Sequence, residues 1–287
     1  QILKILEGFP IKQWGFGAAN TVHVTAEAMK IAFADRFTYM ADPTTTDIPL
    51  EWLMSDRYAA ERRAQIDLSR AQPFTAGIPP DRESASTTHC TAMDADGNVV
   101  ATTNTLHYGF GSAVTVPGTG MLLNNCMQLM DPIPGRTNSI APGKRILSSM
   151  SPTIVLRDGE PWMALGLPGG LKIFGAVMQA IVNVVVHEMT IQQAFEAPRL
   201  WDRGPELELE RGYPHFDLLA KEMEHRGHKV TPLFKVAGGM NGLMRHRERG
   251  LIEGGACWRA DGAPIGVSGG DALVEFGDTA AAMHHGG

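Results

Sequence analysis

The hydrophobic pattern changes period once along this chain, across a polar, proline-broken stretch, and that change constrains the fold more than any other feature. Before it, Val22, Ala26, Met29, Phe33, Phe37 and Met40 step by three and four, which describes one face of a helix. Asn20 suits its N-cap, and Asp42-Pro43 suits its end because proline cannot continue the ladder. A charged helix with a solvated face is expected from Asp56 to Leu68. Residues 69 to 87 carry Pro73, Gly77, Pro79 and Pro80 and read as an exposed linker. Beyond it, the β-branched runs Thr88 to Met93 and Asn98 to Thr105 flank Asp94-Ala95-Asp96-Gly97, a hairpin signature.

A second hairpin is expected from Pro152 to Leu156 and Trp162 to Leu167, around Asp158-Gly159. Gly169-Gly170 then opens a helix with an apolar face of Ile173, Val177, Ala180, Ile181 and Val184. Thr190 and Gln193 have the spacing of a capping box, and Pro214 to Arg226 reads as a helix closed by Gly227. Gly239 to Arg245 and Leu251 to Arg259 read as a final antiparallel pair. Strand pairs grouped apart from helices imply an α+β fold, antiparallel sheets covered by helices, without alternating βαβ units.

Composition excludes several functions. The net charge of −6 is spread without a Lys/Arg stripe, so no nucleic-acid partner is expected. The apolar run from Ile173 to Val186 is interrupted by Gln179 and Asn183 and is shorter than the ~20 residues of a membrane span. Cys90, Cys126 and Cys257 are far apart and odd in number, which draws no disulfide framework and no Cys-x-x-Cys metal site. The chain begins at Gln1 in an apolar-periodic segment and reads as a fragment, so its compartment stays open.

Several catalytic patterns fail on spacing. Gly266-Val267-Ser268-Gly269-Gly270 has the form of a nucleophile elbow, but Asp271 and His284 in so short a tail leave no room for the rest of that sheet. His225 and His228 lack a third metal ligand at suitable spacing and read as surface histidines. Gly143-Lys144-Arg145 lacks the spacing and hydroxyl of a phosphate loop, and Asp94 with Asp96 lacks the twelfth-position acid of a calcium loop. What remains is Thr87, where the linker meets a strand. A threonine hydroxyl needs a neighbouring base, and a free α-amine on the same residue, titrating near 8, supplies one after self-cleavage.

The run from Thr87 to Gly111 resembles the nucleophile signature of the γ-glutamyltransferase family, N-terminal-nucleophile hydrolases that cut themselves before a threonine. Thr87, His89, Thr91, Gly97, Asn98, Val100, Thr103, Thr105, Phe110 and Gly111 fall on its pattern. The resemblance continues through Leu122 to Asn125, the stretch from Pro142 to Val155, Gly166 to Gly170 and Ala197-Pro198-Arg199. It also reaches back to Glu27 to Arg36 and Ala41-Asp42-Pro43, similar to the end of the family's large subunit.

The resemblance implies a four-layer αββα sandwich. Residues 1–86 would be the tail of a large subunit, and 87–287 a small subunit paired with it as a heterodimer after cleavage. It implies Thr87 as nucleophile, with its own amine as base, and Thr105 holding its rotamer. Gly169 and Gly170 would offer N–H groups to the oxyanion, and Ser148 and Ser149 would bind the carboxylate end of the acyl group. The substrate would be a small amide, and no metal or organic cofactor is implied. Most of the family is periplasmic or secreted.

Three positions depart from the glutathione-active pattern. His107 replaces Asn or Glu, Cys126 replaces Gln, and Leu129 replaces the Asp that pairs with the substrate's α-ammonium. The gapless spacing to Pro134-Gly135 keeps nearby Asp131 from simply taking that place. The expected enzyme is therefore a γ-glutamyltransferase-like hydrolase or acyltransferase. The rivals are an acylase of non-glutamyl amides on the same fold and a non-catalytic binding paralogue.

Overall fold

The computed structural model describes residues 1–74 and 87–267. The tail carrying Ser268, Gly270, Asp271 and His284 and most of the expected linker lie outside them. Five helices come first: α1 Ile2–Leu6, α2 Ile11–Trp14, α3 Ala19–Tyr39, α4 Leu50–Leu53 and α5 Asp56–Arg63. Strands β1 Thr87–Met93 and β2 Val99–Thr105 pair antiparallel, with Thr87 opposite Thr105 and His89 opposite Thr103. β3 Thr153–Arg157 and β4 Glu160–Gly166 form the second hairpin. Then come α6 Ile173–Val185, α7 Ile191–Glu196, β5 Leu200–Asp202, β6 Leu207–Glu210, α8 Phe216–His225, β7 Val230–Leu233, β8 Asn241–His246 and β9 Leu251–Ala256.

β3, β4, β8 and β9 make an antiparallel sheet in the order β3-β4-β8-β9. Side chains alternate across it. Met163, Leu165 and Leu167 enter one apolar core with Ile173, Val177 and Val184 of α6 and Ile191 and Phe195 of α7. Gly166 turns to the opposite face, where a β-carbon would strike the His89 ring of β1. The β1–β2 hairpin therefore lies against the face of the sheet that α6 and α7 leave open. α7 carries the expected capping box between Thr190 and Gln193.

Three expectations need correction. Asn20 lies inside α3, whose N-cap is Ala18, although the helix does stop at Tyr39 ahead of Asp42-Pro43 as expected. α3 also has no solvent face along most of its length: His23, Glu27, Lys30 and Asp35 are buried along with the apolar residues. It is the centre of a second core that includes Leu6, Trp201, Leu207, Leu209 and Met223. Its charges survive burial by pairing, Glu27 with Lys30 and Asp35 with Arg62 at 3.0 Å. Finally, the short strands β5–β7 escaped the periodicity, and β6 and β7 run parallel across α8, a βαβ unit in a chain expected to have none. Strands of three or four residues, buried on both sides as Leu200–Asp202 is, carry no alternation to read.

Two buried histidines make the fold acid-sensitive. His23 donates from Nε2 to the Asp67 carbonyl at 2.9 Å, and His89 sits between the Thr103 and Thr91 hydroxyls at 2.8 and 2.9 Å. Burial pushes the pKa of each down to about 4 from an ordinary 6.5. A histidine depressed in the folded state binds fewer protons there than in the unfolded chain. Its stabilisation is complete above pH 6.5 and is lost as pH falls toward 4. Urea unfolding at pH 5.0 is expected to show about 2 kcal/mol less stability per histidine than at pH 7.5, about 4 kcal/mol for the two, and equal midpoints would contradict the assignment.

Candidate active site

The β1–β2 hairpin is closed by Asp94, whose carboxylate accepts from the Asn98 backbone at 2.8 Å and its side chain at 2.7 Å, while Gly97 adopts φ +92°. These are turn roles for Asp94 and its neighbours, as the sequence implies. The register places Thr87 and Thr105 directly opposite on one face, and their Oγ1 atoms lie 2.8 Å apart. The Thr105 hydroxyl also accepts the His107 N–H at 2.8 Å. Thr105 is thus held by the chain that follows it and in turn hydrogen-bonds the Thr87 hydroxyl.

His107 adopts φ +73°, its ring packs on Tyr108 with centroids 4.8 Å apart, and its buried Nδ1 has no hydrogen-bond partner among the described residues. Asn125 bonds this loop twice, accepting the Tyr108 N–H at 3.1 Å and donating its backbone N–H to Leu106 at 3.1 Å. Cys126 follows at the head of a 3-10 turn, Cys126–Leu129, and burial pushes its thiol up. The aliphatic Leu129 is half-buried. Asp131 is committed to its own loop, accepting from the Ile133 N–H at 2.8 Å and from Arg136 at 3.1 Å.

At the end of β4 the chain turns through Gly169 at φ +148° and Gly170 at φ +58° into a 3-10 turn and α6. Conformation requires glycine at Gly169 and favours it at Gly170. A β-carbon on Gly169 would also sit 2.7 Å from that of Ala237. The first N–H groups of such a helix have no partner within it, and its dipole favours negative charge there.

Ser149 is buried and its hydroxyl donates to the Gly170 carbonyl at 2.8 Å, so it braces the turn. The Ser148 hydroxyl accepts from the Met150 N–H at 3.1 Å, and its carbonyl accepts from Arg36 at 3.0 Å. Both serines line a cavity of about 370 Å³ with Asp35, Arg36, Met40 and Phe174. Thr87, Thr105, Gly169, His107 and Cys126 are not among its lining residues. Burial pushes the Arg36 guanidinium down to about 10.

The expected residues thus fall into linked groups. Thr87, Thr105 and His107 meet directly, and Ser149 meets Gly170. Asn241 was not anticipated: it pairs with Gly166 and its side chain donates to the His89 carbonyl at 2.9 Å, tying the Thr87 strand to β8. No sequence pattern marks it. Asp42 accepts the Arg145 N–H at 2.7 Å, and that bond foremost holds its carboxyl down to about 2. The Gly143-Lys144-Arg145 stretch is therefore a loop docked on the end of α3.

His228 corrects the reading of a surface histidine pair. His225 is exposed, but His228 is buried against His23, with Nε2 2.8 Å from His23 Nδ1. Together with Glu27 these residues bring ligand-type atoms within 4.8 Å of one another. The Lys30 ammonium already pairs with the Glu27 oxygen in question, and the two rings satisfy each other. Among the described residues no helix is long and apolar enough to cross a membrane.

The gamma-glutamyltranspeptidase family profile matches residues 1–267. The chain is 50% identical over 270 residues, 94% of its length, to the acylase ACY 1 proenzyme of Pseudomonas sp. strain SE83, covering 48% of that protein. It is 38% identical over 260 residues, 85% of its length, to the glutathione hydrolase proenzyme of Escherichia coli K12, covering 44% of it. It spans about half the length of these curated relatives. The cephalosporin acylase of Bacillus halodurans superposes with a TM-score of 0.83 at 30% identity over 94% of this chain and 48% of that one. A chain of the gamma-glutamyltranspeptidase of Pseudomonas nitroreducens superposes with a TM-score of 0.57 at 32% identity, over 63% of this chain and all of its own length. With the strand-borne threonine pair and the glycine turn, these matches establish that the chain belongs to the gamma-glutamyltranspeptidase family.

Proposed function

We propose that the protein is an N-terminal threonine amide hydrolase or acyltransferase that frees Thr87 by cutting its own precursor. The observation that carries this reading is the 2.8 Å contact between the Thr87 and Thr105 hydroxyls. Cleavage before Thr87 releases its α-amine, which takes the hydroxyl proton as Oγ1 attacks the amide carbonyl. The N–H groups of the Gly169–Gly170 turn receive the oxyanion. Collapse expels the amine, protonated by the same α-ammonium, and leaves an ester on Thr87. Water or a second amine then takes the acyl group by the reverse sequence.

The name proenzyme on both relatives supports self-processing. So does the separate chain from Pseudomonas nitroreducens, whose whole length matches a share of this chain equal to that of residues 87–267. Residues 1–86 then belong to a large subunit and 87–287 to a small one, paired as a heterodimer. The fold reading is a four-layer αββα core, to which α6 with α7, the β3-β4-β8-β9 sheet and the β1–β2 hairpin contribute.

For substrate, we favour an acyl group without a free α-amino group. Leu129 offers no charge to an ammonium, and Asp131 is bound within its own loop. Burying an unpaired ammonium costs several kcal/mol. The 50% identical relative named acylase supports the same choice. Glutaryl p-nitroanilide, the deamino counterpart of γ-glutamyl p-nitroanilide, is expected to show at least tenfold higher kcat/KM. Equal or faster turnover of the γ-glutamyl compound would sink this preference. The machinery itself is tested by intact mass of the full-length precursor beside its Thr87→Ala variant. A fragment beginning at Thr87 in the first only is the expected result, and uncleaved, folded chains in both would turn the reading to a binding paralogue.

A further inference from the structure

The Ala197-Pro198-Arg199 stretch and Cys257 have no part in the chemistry above, yet both are buried beside the glycine turn. Arg199 and Arg259 lie 3% and 4% exposed with a single carboxylate, Glu210, which pairs with Arg259 and accepts the Arg199 backbone N–H at 2.9 Å. Tyr213 stays neutral there, since burial pushes its phenol upward. Two guanidinium groups against one carboxylate leave one positive charge in excess, and a buried net charge is costly.

Cys257, 2% exposed, lies beside this excess charge. Its sulfur accepts from the Met240 N–H at 3.1 Å and from Arg199 Nη2 at 3.5 Å. Each of these polar contacts comes from a donor, as an anion requires. Burial alone would raise its pKa; Arg199, the N–H groups of Arg259 and Met240, and Arg259 itself outweigh that and lower it.

The same contacts grip one segment from within. Arg199 Nη1 donates to the Val236 and Gly238 carbonyls at 3.3 and 3.0 Å, and Cys257 holds Met240. The other side of that segment carries the site. Gly238 donates its N–H to the Pro168 carbonyl at 2.8 Å, Ala237 packs on Gly169, and Asn241 bonds the His89 carbonyl. Residues 236–241 are thus a strap joining the Thr87 strand to the glycine turn.

We propose that Cys257 is a positioning residue: as a buried thiolate it anchors Arg199 and Met240, and through the 236–241 strap it aligns the Gly169–Gly170 turn with the Thr87 strand. This rests on the reading of Thr87 and the turn as reacting groups. The test uses full-length precursor, with kcat and KM for glutaryl and γ-glutamyl p-nitroanilides measured on the processed fraction. Cys257→Ala is expected to lower kcat at least tenfold with KM within twofold. Cys257→Ser, neutral, should remain near Ala, and Cys257→Asp should recover kcat to within threefold of the parent. Wild-type kcat in the Ala or Ser variant, or an Asp variant no better than Ala, overturns the proposal. Should Ala or Ser fail to fold, the thiolate absorbance at 240 nm decides: at pH 7 it should be present in the parent and weaker by one thiolate in Cys257→Asp. Equal absorbance overturns the proposal. That band does not depend on Thr87, so amide turnover surviving in Thr87→Ala would defeat the nucleophile reading separately.

Discussion

Replacing Thr87 by alanine is expected to abolish self-cleavage and to lower amide turnover by about 10⁴-fold or more, the scale seen when a covalent nucleophile is removed. Thr87 is half-buried at the head of β1 and its side chain touches Thr105. Alanine keeps the strand and its register, so the loss should appear in rate while the fold stays intact. Thr87→Ser keeps both the oxygen and the future amine. It should still cut itself and retain turnover, with a penalty of about tenfold from a less restrained rotamer. Equal activity of Thr87→Ala and the parent, measured as p-nitroaniline release from the purified proteins, would remove Thr87 from the mechanism.

The second large effect is expected at Gly169. Its φ of +148° lies where side chains are rarely tolerated, and an added β-carbon would meet the Ala237 β-carbon at 2.7 Å and its Cα at 3.0 Å. Both atoms belong to Ala237 of the packed strap, so the turn itself must shift. A displaced oxyanion donor costs about 10²–10³ in kcat. Gly169→Ala is therefore expected to lose about 10²-fold in kcat for either anilide. Gly159, in the turn between β3 and β4, makes the control: φ is +80° but nothing lies within 4 Å of its added β-carbon. Gly159→Ala should cost about 1 kcal/mol of stability and leave kcat unchanged. Parallel losses in both variants would mean that turnover follows general stability and not the Gly169 turn.

The hairpin bearing Thr87 was legible because alternation, β-branching and an Asp-Gly turn all act within one short window, and its observed register follows directly. The capping box at Thr190 was legible for the same local reason. What escaped depends on distant partners. α3 looks amphipathic by spacing, yet Lys30 and His228 neutralise or satisfy polar groups that spacing assigns to water. His228 became a surface residue in the sequence reading because His23 is remote in the chain. At the site, Thr87 stood out where the linker meets a strand and Thr105 and the two glycines were named from resemblance, while the brace from Ser149 to Gly170 and the tie from Asn241 to His89 come from tertiary packing alone. The strap at 236–241 has no sequence signature, since it works through backbone groups.

The central claim, an acyl-enzyme on Thr87, is tested most directly by rapidly quenching the processed protein with glutaryl p-nitroanilide and measuring fragment masses. The account predicts that the fragment beginning at Thr87 gains one glutaryl group and that peptide mapping places it on Thr87. Turnover with no acylated fragment, or with the acyl group on another residue, would contradict it.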